Sequence, residues 1–373
     1  EDLPGAESAT LNLMAVAPGD VGAYSVVVTN PWGAATSSSA QLEISLDLPT
    51  EEELEREPLG PSRRRSGLAF SEIMYHPRAR NDGRALEYIE LYNSNPWRES
   101  LAGYRIDGAI EFTFPPGSEI AANGFLLVAA NPADVAAEYG SAGVLGPWAG
   151  SLPDSGGSLR LIKRSGGVVL ELEYQDDPPW PVAADGAGHS LALARASYGE
   201  ADPRAWSKSA SIGGSPGGAE TSSSSGLDHV LVNEIRANPV GADTDFVELH
   251  NRSFAAIDVS GCTLSDDPSV DSFVIPVGTV IAAGGFVHFT SPQLGFNLST
   301  SGETVYFKNP AGTRVIDSLR FEAQAPGSTF GRSPDGHPSR HSNLAAATPG
   351  TSNSQPASHP VIINEIMFNP LHD

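Results

Sequence analysis

A ten-residue phrase occurs three times in this chain, and it constrains the fold more than any other feature. Leu68–Pro77 reads LAFSEIMYHP, Val230–Pro239 reads VLVNEIRANP and Val361–Pro370 reads VIINEIMFNP. The first two copies are followed by a second shared phrase, Leu86–Asn93 (LEYIELYN) and Asp245–Asn251 (DFVELHN). Internal repetition of this kind sets the domain plan before any single residue is read. Both phrases are rich in β-branched and aromatic residues and alternate with period two, as strands do. Ile89 and Leu91 fall on one face, with Tyr88, Glu90 and Tyr92 on the other. The closing proline removes a ladder donor and ends the first strand. Asn81-Asp82-Gly83 and Gly241-Ala242-Asp243 supply turn chemistry between the two strands.

The repeat runs on past the hairpin. Leu101–Tyr104 (LAGY) answers Val259–Cys262 (VSGC), and Phe114–Phe125 (FPPGSEIAANGF) answers Ile275–Phe286 (IPVGTVIAAGGF). Ser155–Leu161 (SGGSLRL) answers Ser301–Phe307 (SGETVYF). In this order, twice over, these segments resemble the lamin-tail domain, an immunoglobulin-like β-sandwich known from nuclear lamins and common in exported bacterial proteins. The resemblance covers most of residues 67–351. It implies an all-β chain of tandem immunoglobulin-like sandwiches joined by flexible linkers.

Seven segments follow. Residues 1–46 resemble the last two strands of an immunoglobulin domain, with Tyr24 as its corner tyrosine and Val26 where the family carries its second cysteine. Residues 47–66 are a charged linker, with Glu51-Glu52-Glu53 ahead of Arg63-Arg64-Arg65. Those arginines suit a protease site or an anionic contact, but short charge blocks usually mark a solvated linker. Unit one spans 67–218 and unit two 228–352, separated by a serine-rich tether at 219–227. A linker at 353–360 leads to 361–373, the first strand of a third unit. Tethered domains of this kind move as beads on a string unless they share a large interface. With its last strand cut off, the chain reads as a fragment of something larger, so both ends should exchange hydrogen faster than Ile89, Leu91, Val247 and Leu249. One short helix is expected, capped by Asn131, started by Pro132 and closed by Gly140.

Composition narrows the partners. Of 373 residues, 22 are basic and 45 acidic, a net charge of −23. That argues against nucleic acid, whose affinity comes from cations on phosphates. The single cysteine, Cys262, excludes an intrachain disulfide and suits a buried small residue. No apolar run is long enough to cross a membrane. No cofactor or metal is implied, because the histidines are scattered and the acidic clusters lack a calcium-loop spacing.

Three features could carry chemistry. Glu72 with Glu90, and Glu234 with Glu248, could form acid/base pairs, but alternation turns Glu90 toward solvent or a loop amide, and closing strand ends is the simpler role. Gly213-Gly214-Ser215-Pro216-Gly217 matches the nucleophile elbow of hydrolases by letter, yet lacks its strand-and-helix context. Unit two has Thr348-Pro349-Gly350 there, so the shared theme is a Pro-Gly exit turn. Finally, Trp97, Trp148, Trp180 and Trp206 all lie in unit one. Loop aromatics can stack on sugars, although capping the sandwich ends is the plainer reading.

The function expected is therefore non-catalytic: an extracellular or cell-surface spacer or adhesion array. The resemblance adds that such repeats accompany larger bacterial proteins bearing a kinase-like or hydrolase domain. The alternative is a carbohydrate- or protein-binding module, with Trp148, Trp180 and Trp97 as one exposed patch and Asp176 and Asp177 as acceptors for sugar hydroxyls.

Overall fold

The structure, a computed structural model, describes residues 22–30, 33–42, 56–62, 66–220 and 225–357. The third copy at 361–373, the triple arginine, most of the charged linker and part of the other two linkers lie outside these residues. The chain divides into two compact units, Glu1–Asp47 and Leu48–Asp373. In the first, Gly22–Tyr24 pairs with Ala40–Leu42 and Val27–Asn30 with Gly33–Thr36, all antiparallel. The two expected strands are thus present, each interrupted midway. Ser37 joins the halves, donating its N–H to the Val26 carbonyl and receiving the Val26 N–H on its hydroxyl. Val26, Val27 and Val28 are each more than half exposed.

The second unit holds two sandwiches built on one plan. In the first, five strands run in the order Phe125–Ala129, Tyr88–Asn93, Leu68–Met74, Leu191–Leu193, Trp206–Lys208. In the second the order is Phe286–Thr290, Phe246–Asn251, Val230–Arg236, Thr329–Arg332, His341–Leu344. The facing sheets also correspond. Ile110–Thr113, Arg105–Gly108, Gly157–Ile162 and Val168–Tyr174 match Phe273–Val274, Thr263–Ser265, Gly302–Lys308 and Val315–Glu322, with an extra edge strand Ala149–Gly150 in the first. The strands in these sheets pair antiparallel, as expected for immunoglobulin-like sandwiches. Each sandwich closes over its own apolar core. Phe70, Ile89, Leu91, Leu159 and Leu170 lie in one, and Val232, Val247, Leu249, Val305 and Phe307 in the other. Cys262 is fully buried in the second core, and burial pushes its thiol up to about 12.

The helix forms at Pro132–Tyr139 as its caps require. The Asn131 side chain accepts from the N–H groups of Ala133 and Asp134, and Gly140 closes it at φ 68°. Val135 and the half-buried Tyr139 pack on Met74 and Tyr88. This covers the outer face of Tyr88–Asn93, so that strand is buried on both sides. The second sandwich has a single helical turn at the same place, Ser291–Leu294, which the sequence did not announce.

Candidate functional site

Each first strand carries a β-bulge just before its repeated glutamate. Phe70 faces Leu91 and Glu72 faces Glu90, leaving Ser71 as the extra residue; Val232 faces Leu249 and Glu234 faces Glu248, leaving Asn233. The bulge turns the extra side chain onto the neighbouring strand. Ser71 donates its hydroxyl to Glu90 at 2.7 Å, and Asn233 donates its amide to Glu248 at 3.2 Å. All four glutamates are buried.

Their other partners come from the end of the domain. The Ser215 N–H reaches Glu72 at 3.0 Å and the Gly217 N–H reaches Glu90 at 2.6 Å. In the second sandwich Thr348 donates its N–H and hydroxyl to Glu234, at 3.1 and 3.0 Å, while the Gly350 N–H reaches Glu248 at 2.6 Å. Ser215-Pro216-Gly217 and Thr348-Pro349-Gly350 are thus one device used twice, a latch that ties the exit of each sandwich to its first two strands. The proline holds the N–H groups on either side of it, two positions apart, facing two carboxylates on paired strands. Glu90 does not face solvent, one of the two outcomes alternation allowed; it takes the loop amide.

Among the described residues no ion pair neutralises these carboxylates, although the charge of Arg236 acts on Glu234. Burial, then repulsion from Glu220, pushes Glu72 up to about 7. Burial, then the charge of Glu72, pushes Glu90 up to about 8. Burial likewise carries Glu248 up to about 8 and raises Glu234.

The elbow-like serine lies in this latch, beside a cavity of about 180 Å³ lined by Glu72, Glu90, Glu220 and Arg56. Its hydroxyl contacts Glu220 at 2.8 Å and Glu72 at 3.4 Å, carboxylates in place of an imidazole. The glycine before it has a structural reason. Gly214 sits at φ +77°, and a Cβ there would meet the Glu72 carboxylate at 2.0 Å and the Tyr88 hydroxyl at 2.2 Å. Gly214→Ala is therefore expected to lower stability by at least about 2 kcal/mol in chemical denaturation.

The expected tryptophan patch does not form. Trp148 and Trp180 are 8% and 6% exposed and belong to the first core, where Trp180 packs on Trp206 with ring centroids 6.3 Å apart. Trp97 alone is open, at 60%. The proline-rich loops fold the large rings back over the sandwich, where burying an indole outweighs leaving it in water. Asp176 and Asp177 are engaged too: both hold Arg320 of the other sandwich, at 3.3 and 2.7 Å.

That arginine belongs to a seam between the sandwiches, which are therefore in contact, unlike the separate beads expected. Arg320 also binds Asp185 at 2.6 Å, and Asp185 in turn contacts the His76 ring at 2.6 Å. That contact raises the His76 pKa. The Ile212 N–H donates to the Thr313 carbonyl at 2.9 Å, and Arg78 to the Ser269 carbonyl at 2.6 Å. His189, fully buried, accepts the Val315 N–H on Nε2 at 2.9 Å while Nδ1 faces the Ser209 carbonyl at 2.8 Å. Burial pushes His189 down to about 3, so it stays neutral and able to accept. Ala183, Ala187, Tyr306 and Val315 form an apolar centre to the seam. Sequence order hid it, because its partners are more than a hundred residues apart.

The comparisons agree with this architecture. The family model of the Lamin Tail Domain matches residues 61–176 and 223–323, together more than half of the chain. No curated protein matches the chain. With two sandwiches of one topology, each matched and each closed by the same latch, this chain belongs to the lamin tail domain family.

Proposed function

We propose that this stretch is a non-catalytic, stiff spacer of a larger exported or cell-surface protein. The observation that carries the reading is the seam. An arginine held by three aspartates, hydrogen bonds from the Ile212 and Val315 N–H groups and an apolar centre together join the two sandwiches. The glutamates are saturated by amides and hydroxyls, which suits mechanical closure better than proton transfer. No helix of the described residues is long and apolar enough to cross a membrane. Placement outside the cell rests on the resemblance to exported lamin-tail repeats. Adhesion through loop aromatics is the weaker reading, since the rings it needs are buried.

The test uses Arg320→Ala. Removing the arginine leaves Asp176, Asp177 and Asp185 facing one another, at an expected cost of about 2 kcal/mol to the seam, below the fully buried range because Arg320 is partly exposed. The chain is anchored to a surface at one end and carries a fluorophore at the other. The wild type should hold the fluorophore at one height, and Arg320→Ala should lower and broaden that height. Identical distributions would contradict the spacer reading.

A further inference from the structure

The seam has an open side, a cleft of about 520 Å³ between the two sandwiches. This lies in the range of small-ligand sites. Its lining has a composition unlike the rest of the chain. Arg195, Arg204 and Lys208 come from the first sandwich, and Arg252, Arg314, Arg320 and Arg332 from the second. Seven of the 22 cations in the chain therefore line one cleft, three of them (Arg252, Arg314 and Arg332) largely buried; two acids, Asp228 and Asp317, share the lining, and Asp176, Asp177, Asp185 and Asp202 pair with lining cations from outside it. In a protein of net charge −23 such a concentration is the reverse of what chance placement gives.

Several of these cations are held by carboxylates. Arg314 pairs with Asp228 at 2.7 Å, Arg332 with Asp317 at 2.9 Å, and Arg320 with its three aspartates. Lys208 and Arg204 differ from these. No carboxylate of the described residues lies within ion-pair distance of the Lys208 ammonium, whereas Arg204 is fixed by Asp202 at 2.6 Å and lies 5.1 Å over the Tyr198 ring. The Arg204 side chain is 72% exposed, so it is oriented by its partner without being covered. Beside these charges Pro178, Pro179, Pro181 and the edges of Trp180 and Trp206 form an apolar wall.

We propose that this cleft binds a small polyanion, a compact molecule bearing two or more phosphate or sulfate groups, whose body rests on the proline and tryptophan wall. Guanidinium forks match the geometry of both oxyanions, and an ammonium adds a mobile point charge beside them. A single carboxylate would engage too few of these donors to overcome the repulsion of the acidic surface around the cleft. That surface charge is screened within about 8 Å at physiological ionic strength, so the lining governs what is held once a ligand has entered. Bound there, the ligand would touch both sandwiches and tighten the seam.

Calorimetric titration of the full chain tests this, with pyrophosphate and sucrose octasulfate as separate probes. Saturable one-to-one binding of either probe is expected, weakening about tenfold or more between about 0.05 and 0.5 M salt. The probe that saturates tells phosphate from sulfate. Arg204→Ala with Lys208→Ala should reduce affinity at least about tenfold while the melting curve is unchanged, since neither side chain anchors a core. Charge reversal by Lys208→Glu alone should act in the same direction, and provides the reading if the double variant does not fold. The absence of saturable binding by both probes would overturn the proposal, as would equal affinity in wild type and variants; the cations would then serve only to hold the seam.

Discussion

Arg332→Leu is expected to cost about 3–5 kcal/mol, and adding Asp317→Leu should return a large part of that loss. The basis is a substitution that the repeat itself contains. Ala192 faces Glu72 as Gly331 faces Glu234, so Leu193 corresponds to Arg332. Leu161 faces Leu170 as Phe307 faces Asp317, so Leu170 corresponds to Asp317. One scaffold thus accepts either two buried leucines or a buried ion pair at the same place between its sheets. Arg332 is 1% exposed and donates to both Asp317 oxygens at 2.9 Å, to the Val232 carbonyl at 2.8 Å and to the carbonyls of His337 and Pro338. Removing the arginine alone strands a largely covered carboxylate at the edge of the cleft, which is the expensive event. Removing both charges leaves only the backbone groups they served, including the Val232 N–H that donates to Asp317 at 2.7 Å. Urea denaturation of both single variants and the double should give a coupling of at least about 2 kcal/mol. Additive losses would show that the pair is not a unit.

The second large effect is an inverted dependence on pH. Folding raises Glu72, Glu90 and Glu248 from an ordinary value of 4.5 to about 7, 8 and 8. The stability these groups contribute is complete below about 4.5 and is lost as the pH rises through 7 to 8. His76, raised by its bond to Asp185, acts in the same direction above its ordinary 6.5. His189 and His341, both pushed down to about 3 by burial, act oppositely, but their contribution is complete above 6.5 and falls only toward acid. Between about pH 6.5 and 8.5 the carboxyls therefore dominate, and stability should drop by about 2–4 kcal/mol across that window. Glu90→Gln mimics the protonated acid and keeps a carbonyl for the Gly217 N–H, so it should flatten the profile and melt higher than wild type at pH 8.5. Glu90→Ala should instead lose stability at every pH, because the N–H is left without its acceptor. A wild-type profile that rises from pH 6.5 to 8.5 would contradict this account of the latch.

Much of the fold was legible because the signals were local. Period-two alternation marked the strands at 68–74 and 88–93, and Asn131, Pro132 and Gly140 marked both ends of the helix. The repeat then supplied what local reading lacks, the pairing of distant strands. The site was less legible for a physical reason. Alternation says that Glu90 lies opposite Ile89 and Leu91, but not that an exit turn more than a hundred residues later covers it. The doubled Ser/Thr-Pro-Gly was visible as a theme, and its meaning needed the bulges at Ser71 and Asn233. The tryptophans misled because a proline-rich loop can present a ring or fold it inward, and composition does not distinguish the two. Arg320 reads as an ordinary strand residue, and only the approach of the second sandwich gives it three aspartates.

If the seam holds in solution, the two sandwiches are one body. Residual dipolar couplings of backbone amides, measured in the full chain and fitted separately for residues 67–218 and 228–352, test it most directly. A seam that holds predicts a single alignment tensor, with equal magnitude and orientation for both sets. Two tensors of different magnitude would mean that the sandwiches move independently, and the spacer account built on the seam would fail.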